Sequence, residues 1–168
     1  SYTITTPPVL GVNVTITNVN CFGFASGSLD ALGSGGTSPY YYFWSNTSET
    51  TASITGLIAN DYTLTVTDEN ACQVEDLISV TEPAAALSAN PAPGIDPLCY
   101  GSSDGEATVN PSGGTSPYFY SWSPDGEITQ SIFNKVAGQY SITVSDNNGC
   151  TDTQVITLTN PPALSVVA

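Results

Sequence analysis

Residues 39–46 read PYYYFWSN, with five aromatic side chains in a row, Tyr40, Tyr41, Tyr42, Phe43 and Trp44. Side chains alternate between the two faces of a strand, so one core cannot take all five. Residues 117–124 read PYFYSWSP and resolve the ambiguity. Tyr40, Tyr42 and Trp44 are matched there by Tyr118, Tyr120 and Trp122, whereas Phe43 is matched by Ser121. The kept residues share one face, which is assigned to a core. Tyr41 and Phe43 then point outward.

The two stretches belong to a longer internal repeat. GGTSPY occurs at 35–40 and again at 113–118, an offset of 78. Cys21 and Cys99, Tyr62 and Tyr140, Asp68 and Asp146, Cys72 and Cys150, and Pro83 and Pro161 keep that offset without a gap. Self-similarity at a fixed period marks a repeat architecture. TITTPP at 3–8 resembles TLTNPP at 157–162, and ALSVVA at 163–168 resembles the start of another copy. The expected organisation is the end of a preceding repeat (1–8), repeats over 9–83 and 84–161, and the start of a following repeat (162–168). The opening SYTITTPP carries no secretion signal, and the chain reads as a piece of a longer tandem array.

Within each repeat the hydrophobic period is two, as in VNVTIT (12–17), DYTLTVT (61–67) and QYSITVS (139–145). Such alternation predicts strands. Further strands are expected at 28–33, 52–57, 73–81, 105–110, 129–134 and 151–159, with Gly, Pro, Asn and Asp clusters between them. No helical periodicity is present. The chain is therefore expected to be all-β: two tandem immunoglobulin-like β-sandwich repeats of about seven strands each. Trp44 resembles the buried strand-C tryptophan of such sandwiches, and Tyr62 and Tyr140 resemble their tyrosine corners.

Composition excludes whole classes of function. The 168 residues include 15 Asp and Glu, one basic residue (Lys135) and no His, for a net charge of −14. Ser-His-Asp and Cys-His chemistry need a histidine. Nucleic acid and anionic membranes need clustered Lys and Arg. No apolar run approaches the ~20 residues that span a bilayer. No enzyme activity, nucleic-acid partner or membrane insertion is expected.

Each repeat runs Cys-x-Gly, Gly-Gly-Thr-Ser-Pro-Tyr, Tyr-x-Trp-Ser and Ala-x-x-Tyr-x-x-x-Val-x-Asp, with a second Cys four residues later and a Thr-x-Pro exit. This pattern resembles the SprB-type repeat of large surface adhesins in gliding Bacteroidetes. The resemblance covers residues 9–162. It implies an extracellular, cell-surface stalk or filament, exported by the type IX system and serving adhesion, motility or prey contact. It brings no catalytic residues. The first copy has Ser26-Gly27 where the second has Asp104-Gly105.

Cys21, Cys72, Cys99 and Cys150 point to an oxidising compartment and disulfides. The simplest pairing lies within each repeat, Cys21–Cys72 and Cys99–Cys150. An immunoglobulin-like topology would instead set the two cysteines of a repeat at opposite ends, and Cys21 would then meet Cys150. Asp68, Asn70, Asp146 and Asn148 form oxygen-rich turns that are candidate Ca²⁺ ligands, with Asp96 and Asp104 able to approach. The competing reading is a plain hairpin with Asx-type bonds, and EF-hand spacing is absent. No other cofactor is expected.

Tyr41, Phe43, Phe24, Leu32 and Leu57 are candidate interface residues, because the first copy is apolar there and the second is often polar. The expected partners are neighbouring repeats and a lateral homo-oligomer or filament. A glycan- or protein-binding module using the exposed aromatics is the alternative function.

Overall fold

A computed structural model of the protein describes residues 6–165. The chain forms two compact units, Ser1–Glu82 and Pro83–Ala168. The expected flanking pieces at 1–8 and 162–168 lie partly outside the described residues.

In the first unit one sheet has the order β1-β2-β4, built from β1 (Gly11–Thr17), β2 (Gly27–Ser34) and β4 (Ser53–Leu57). The other has the order β3-β5-β6, built from β3 (Tyr40–Trp44), β5 (Asn60–Asp68) and β6 (Gln73–Val80). All pairings are antiparallel. The second unit pairs β7 (Gly105–Thr108) with β9 (Ser131–Lys135), and sets β8 (Phe119–Ser123), β10 (Gly138–Ser145) and β11 (Thr151–Leu158) in the order β11-β10-β8. These are all-β sandwiches.

The expected seven strands per repeat become six and five among the described residues. The loss in the second unit has a local cause. Where the first unit has VNVTIT, the second has NPAPGIDP, and proline can neither donate to a ladder nor leave its predecessor unrestrained. The segment still tracks its neighbours through isolated bridges, Ser88 to Ser112, Pro91 to Val109 and Ile95 to Glu106.

The aromatic alternation holds. Trp44 is fully buried, Tyr40 and Tyr42 pack against the core, and Tyr41 and Phe43 are exposed. The core around Trp44 contains Leu29, Ile54, Leu64, Val66 and Val80, and Trp122 sits in a matching cluster with Val109, Ile132, Ile142 and Val144. Each indole also satisfies its donor. Trp44 Nε1 donates to the Thr51 carbonyl at 3.0 Å, and Trp122 Nε1 to that of Thr129 at 2.8 Å. The tyrosine corners are formed as expected: Tyr62 Oη donates to the Ile58 carbonyl at 3.0 Å and Tyr140 Oη to that of Val136 at 2.9 Å.

One candidate interface residue is corrected. Leu57 is 4% exposed and belongs to the core. The β2–β4 register shifts at Gly27/Ser28, and Gly56 takes φ of +70°, so the simple alternation along β4 breaks just before Leu57. Its repeat equivalent, Lys135, is half-buried and forms ion pairs with Asp125 at 2.6 Å and with Glu127. The hydrogen bonds that Lys135 Nζ donates to Asp125, then to Glu127, raise the Lys135 pKa and keep the ammonium charged.

The repeats keep left-handed backbone at matching places with different residues. Ser48 pairs with Gly126, Gly56 with Asn134, and Ala71 with Gly149. Ala71, at φ of +64°, adopts the least suitable of these conformations for its type. Ala71→Gly should therefore stabilise the first unit by about 1 kcal/mol, and Gly149→Ala should cost the second unit a similar amount. Urea unfolding of the two variants, followed by tryptophan fluorescence, checks both signs.

Candidate functional site

The signature GGTSPY builds the corner from β2 into β3, and it does so by gathering distant backbone. Gly35 and Gly36 have φ of +68° and +54°, and the Ser38–Pro39 bond is cis. The close approach explains the first glycine. A Cβ at Gly35 would lie 1.9 Å from the Val9 carbonyl oxygen, and one at Gly113 would lie 1.9 Å from that of Ala86. The Gly36 N–H donates to the Pro8 carbonyl at 2.8 Å, and the Gly114 N–H to that of Ala85 at 2.9 Å. The tyrosine closing the motif binds it back: Tyr40 Oη donates to the Gly35 carbonyl at 2.5 Å, and Tyr118 Oη to that of Gly113 at 2.7 Å. The motif thus straps the lead-in segment of each unit to its first sheet.

A buried carboxylate completes the corner. Asp68 and Asp146 are each 3% exposed. Asp68 Oδ2 accepts from the Thr37 N–H at 2.9 Å, and Oδ1 accepts from the N–H groups of Asn70 at 3.0 Å and Cys72 at 2.8 Å. Asp146 repeats this with Thr115, Asn148 and Cys150, at 2.8, 2.9 and 2.9 Å. Asn70 Nδ2 donates to Thr37 Oγ1 at 2.9 Å, and Asn148 Nδ2 to Thr115 Oγ1 at 3.1 Å. Burial pushes the Asp68 pKa up, but the three backbone donors outweigh it and hold the carboxyl below its ordinary value.

The candidate calcium ligands are therefore engaged as a loop clamp. Both carboxylate oxygens of Asp68 and Asp146 face N–H donors, which a cation would have to displace. Among the described residues no group of three or more His, Cys, Asp or Glu side chains is placed to hold a metal. Asp96 and Asp104 do not join Asp146. They serve the far end of their own unit, where Asp96 accepts from Thr159 N–H and Oγ1, each at 2.7 Å, and Asp104 accepts from Leu98 N–H at 3.1 Å and from Ser102 Oγ. These bonds lower both pKa values, chiefly the Thr159 N–H for Asp96 and the Ser102 hydroxyl for Asp104.

That far end is also built alike in the two units. In the first, Asn18 Oδ1 accepts from the Thr81 N–H at 3.0 Å and Glu82 from the Gly23 N–H at 2.6 Å. In the second, Asn160 Oδ1 accepts from the Gly101 N–H at 3.1 Å. Cys21 and Cys99 lie in these loops, before β2 and β7. Cys72 and Cys150 lie in the hairpins β5–β6 and β10–β11, beside the aspartate clamps. The register places them at opposite ends of a sandwich: Thr17 pairs with Ser28 at one end, and Tyr40 pairs with Asp68 at the other.

Pairing within a repeat is consequently not formed, and that expectation is corrected. Cys21 and Cys150 are disulfide-bonded, whereas Cys72 and Cys99 are free and exposed. The length of β5, nine residues at about 3.3 Å each, exceeds by several-fold the ~7 Å that a disulfide allows between Cα atoms.

The remaining candidate interface residues lie on the surface. Tyr41, Phe43, Phe24 and Leu32 are exposed, and Tyr41 Oη donates to Glu69 Oε2 at 3.1 Å. Tyr41 and Phe43 share the outer face of their sheet with Leu77 of β6, which is also exposed and which sequence reasoning missed. The signal was its alternation with Ile78, which is buried.

The architecture is that of a tandem sandwich module, and comparison with known proteins places it further. The SprB repeat family model matches residues 13–48 and 96–127, one segment in each unit. Each unit thus contains a segment similar to the SprB repeat. No curated protein matches the chain. Among solved structures, a C-terminal 282-residue fragment of intimin, in complex with the intimin-binding domain of its translocated receptor, is 13% identical with a TM-score of 0.46. The similarity covers 87% of this chain and 64% of that fragment. Fibronectin(III)-like modules of Clostridium thermocellum CbhA are 17% identical with a TM-score of 0.31, covering 88% of this chain and 95% of theirs. The two immunoglobulin domains of DIP-gamma are 11% identical with a TM-score of 0.39, covering 91% and 98%.

The clamp makes an acid-side prediction. A carboxyl whose folded pKa is lowered contributes stability above its unfolded value, near 3.8, and that contribution is lost as pH falls through the lower folded value. Asp68→Asn should lower the melting temperature of the first unit at pH 7 and flatten its dependence on pH below about 4. Gly35→Ala should destabilise more than Gly126→Ala, since only the former drives a Cβ into backbone. Thermal melts from pH 2 to 7 check the first expectation, and urea titration checks the second.

Proposed function

We propose that these repeats are structural units of a large extracellular adhesin or surface filament, giving it length and stiffness in adhesion, motility or prey contact. One observation carries this reading. Both copies of the sandwich devote their most constrained chemistry, the glycine corner and its aspartate clamp, to fastening the segment that leads into each unit. A catalytic domain concentrates buried polar groups around a substrate, whereas here they serve the chain path. SprB repeats occur in cell-surface proteins, which supports an extracellular setting, as does the presence of a disulfide. No helix of the described residues is long and apolar enough to cross a membrane.

Arrays of two, four and six repeats should gain a constant increment of maximum dimension per repeat in small-angle scattering, on the order of the 30 Å spanned by a nine-residue strand. An array that grows as a compact globule overturns the stalk reading. A second reading is favoured by the exposed ring pair Tyr41 and Phe43, which suits a glycan or a protein partner. Glycan-array binding that disappears in Tyr41→Ala with Phe43→Ala would make the first repeat a binding module.

A further inference from the structure

We propose that the outer face of the β3-β5-β6 sheet in the first unit docks an arginine-rich segment of another protein. The proposal rests on the binding reading above and names the chemistry of the partner. Strand alternation puts Tyr41 and Phe43 of β3 and Glu75 and Leu77 of β6 on this face. Asp61 lies on it at the start of β5, and Glu69 just past the end of β5. Tyr41, Phe43 and Leu77 are 57%, 47% and 65% exposed, and the three carboxylate side chains are exposed as well.

The register sets rings beside carboxylates. Tyr41 and Phe43 are two residues apart on one strand, about 7 Å. Phe43 pairs with Thr65 and Thr65 with Glu75, so ring and carboxylate share a row two strand spacings long, about 10 Å. Tyr41 Oη donates to Glu69 Oε2 at 3.1 Å, which holds a second carboxylate at the edge of a ring. The second unit supplies a comparison within the same chain. At the offset of 78, Phe119 and Val155 replace Tyr41 and Leu77 and are exposed too. Asp61, Glu69 and Glu75, however, become Gln139, Asn147 and Thr153, and Phe43 becomes Ser121. The same sheet forms in the second unit without them, so all three charges and one ring are additions that the fold does not need.

Charge complementarity identifies the occupant. The first unit has no Lys, Arg or His side chain, so these carboxylates have no basic side chain of their own unit to pair with. A neutral glycan could stack on the rings, but covering the carboxylates would strip their water without returning a charge. Nucleic acid is repelled. A guanidinium answers both halves of the face: its plane stacks on an aromatic ring, and its N–H fork binds a carboxylate through two parallel bonds. Arginines at alternate positions of an extended segment recur about every 7 Å, which is the spacing of Tyr41 and Phe43. Lysine offers a compact ammonium with neither the plane nor the fork.

The test titrates a fluorescent nona-arginine peptide with the full chain at about 0.15 M salt, where distant charges are screened. One equivalent should bind, more tightly than nona-lysine. Replacing the three carboxylates with the residues of the second copy, Asp61→Gln, Glu69→Asn and Glu75→Thr, should weaken binding about tenfold. Phe43→Ser alone should weaken it by a factor of about three. Thermal melts check that both variants fold, as the second unit does with the same residues. Asp30→Asn, Glu49→Gln and Glu106→Gln together remove the same charge away from this face and should change the affinity less than about twofold. Equal weakening by the two triple variants, or no nona-arginine binding, overturns the proposal. Binding of a neutral glycan that Tyr41→Ala with Phe43→Ala abolishes, without nona-arginine binding, overturns it and leaves the binding reading in place. Absence of both ligands removes the binding reading as well.

Discussion

The structure depends on one carboxylate per repeat. Asp68 and Asp146 stand where two sheets, a hairpin and the lead-in segment converge, and each collects three backbone N–H groups. An isolated carboxylate in such a place is costly unless its oxygens are satisfied. Most proteins can use arginine or lysine for this. Here the only cation is Lys135, already held by Asp125 and Glu127. Backbone donors must do the work, and only a loop that turns its N–H groups inward can present them. The paired left-handed glycines of GGTSPY open such a loop, with the Gly36 N–H turned to the lead-in segment and the Thr37 N–H turned to the aspartate.

From that corner the rest of a repeat follows. The loop sets where β3 begins, and the Tyr40–Asp68 pairing then fixes the register that buries Trp44 against Leu64 and Val66. The tyrosine that opens β3 bonds back to the loop, so the aromatic run belongs to the corner as much as to the core. At the opposite end a second set of side chains, Asn18 and Glu82 or Asp96 and Asn160, caps the exit strand. Residue identity changes between copies while the acceptor stays in place, because an amide oxygen and a carboxylate oxygen serve equally for a backbone donor.

Much of this was legible in the sequence, where local rules apply. Alternation in Tyr40–Trp44 and the offset of 78 located the strands, the core face and the repeat, and the tyrosine corners followed from position alone. The misreadings share a cause, since each depends on residues far apart in the chain. Leu57 looked like surface because Lys135 occupies its place in the second copy, and only the bulge opposite β4 turns it inward. The clamp on Asp68 was hidden because its donor Thr37 lies 31 residues away. The cysteine pairing needed the ends of the strands to be known, which spacing does not supply. The missing first strand of the second unit was visible in its prolines, but the strand count rested on the better-patterned copy.

The division of labour within a repeat also explains where its two copies differ. Ends carry the clamps and the cysteines, and strand edges carry pairing, so neither tolerates free exchange. Sheet faces carry neither duty. There Phe43 stands against Ser121 and Leu32 against Asn110, and in the first copy both of these apolar side chains are exposed. An exposed ring contributes nothing to the sandwich that serine does not, and it exposes apolar surface to water. A fold that confines its constraints to two ends leaves its faces open to change, so each repeat in an array can carry a different surface on the same frame. The proposed stalk role and the binding reading are therefore compatible, because the face of an individual repeat can change without disturbing the clamps at its ends.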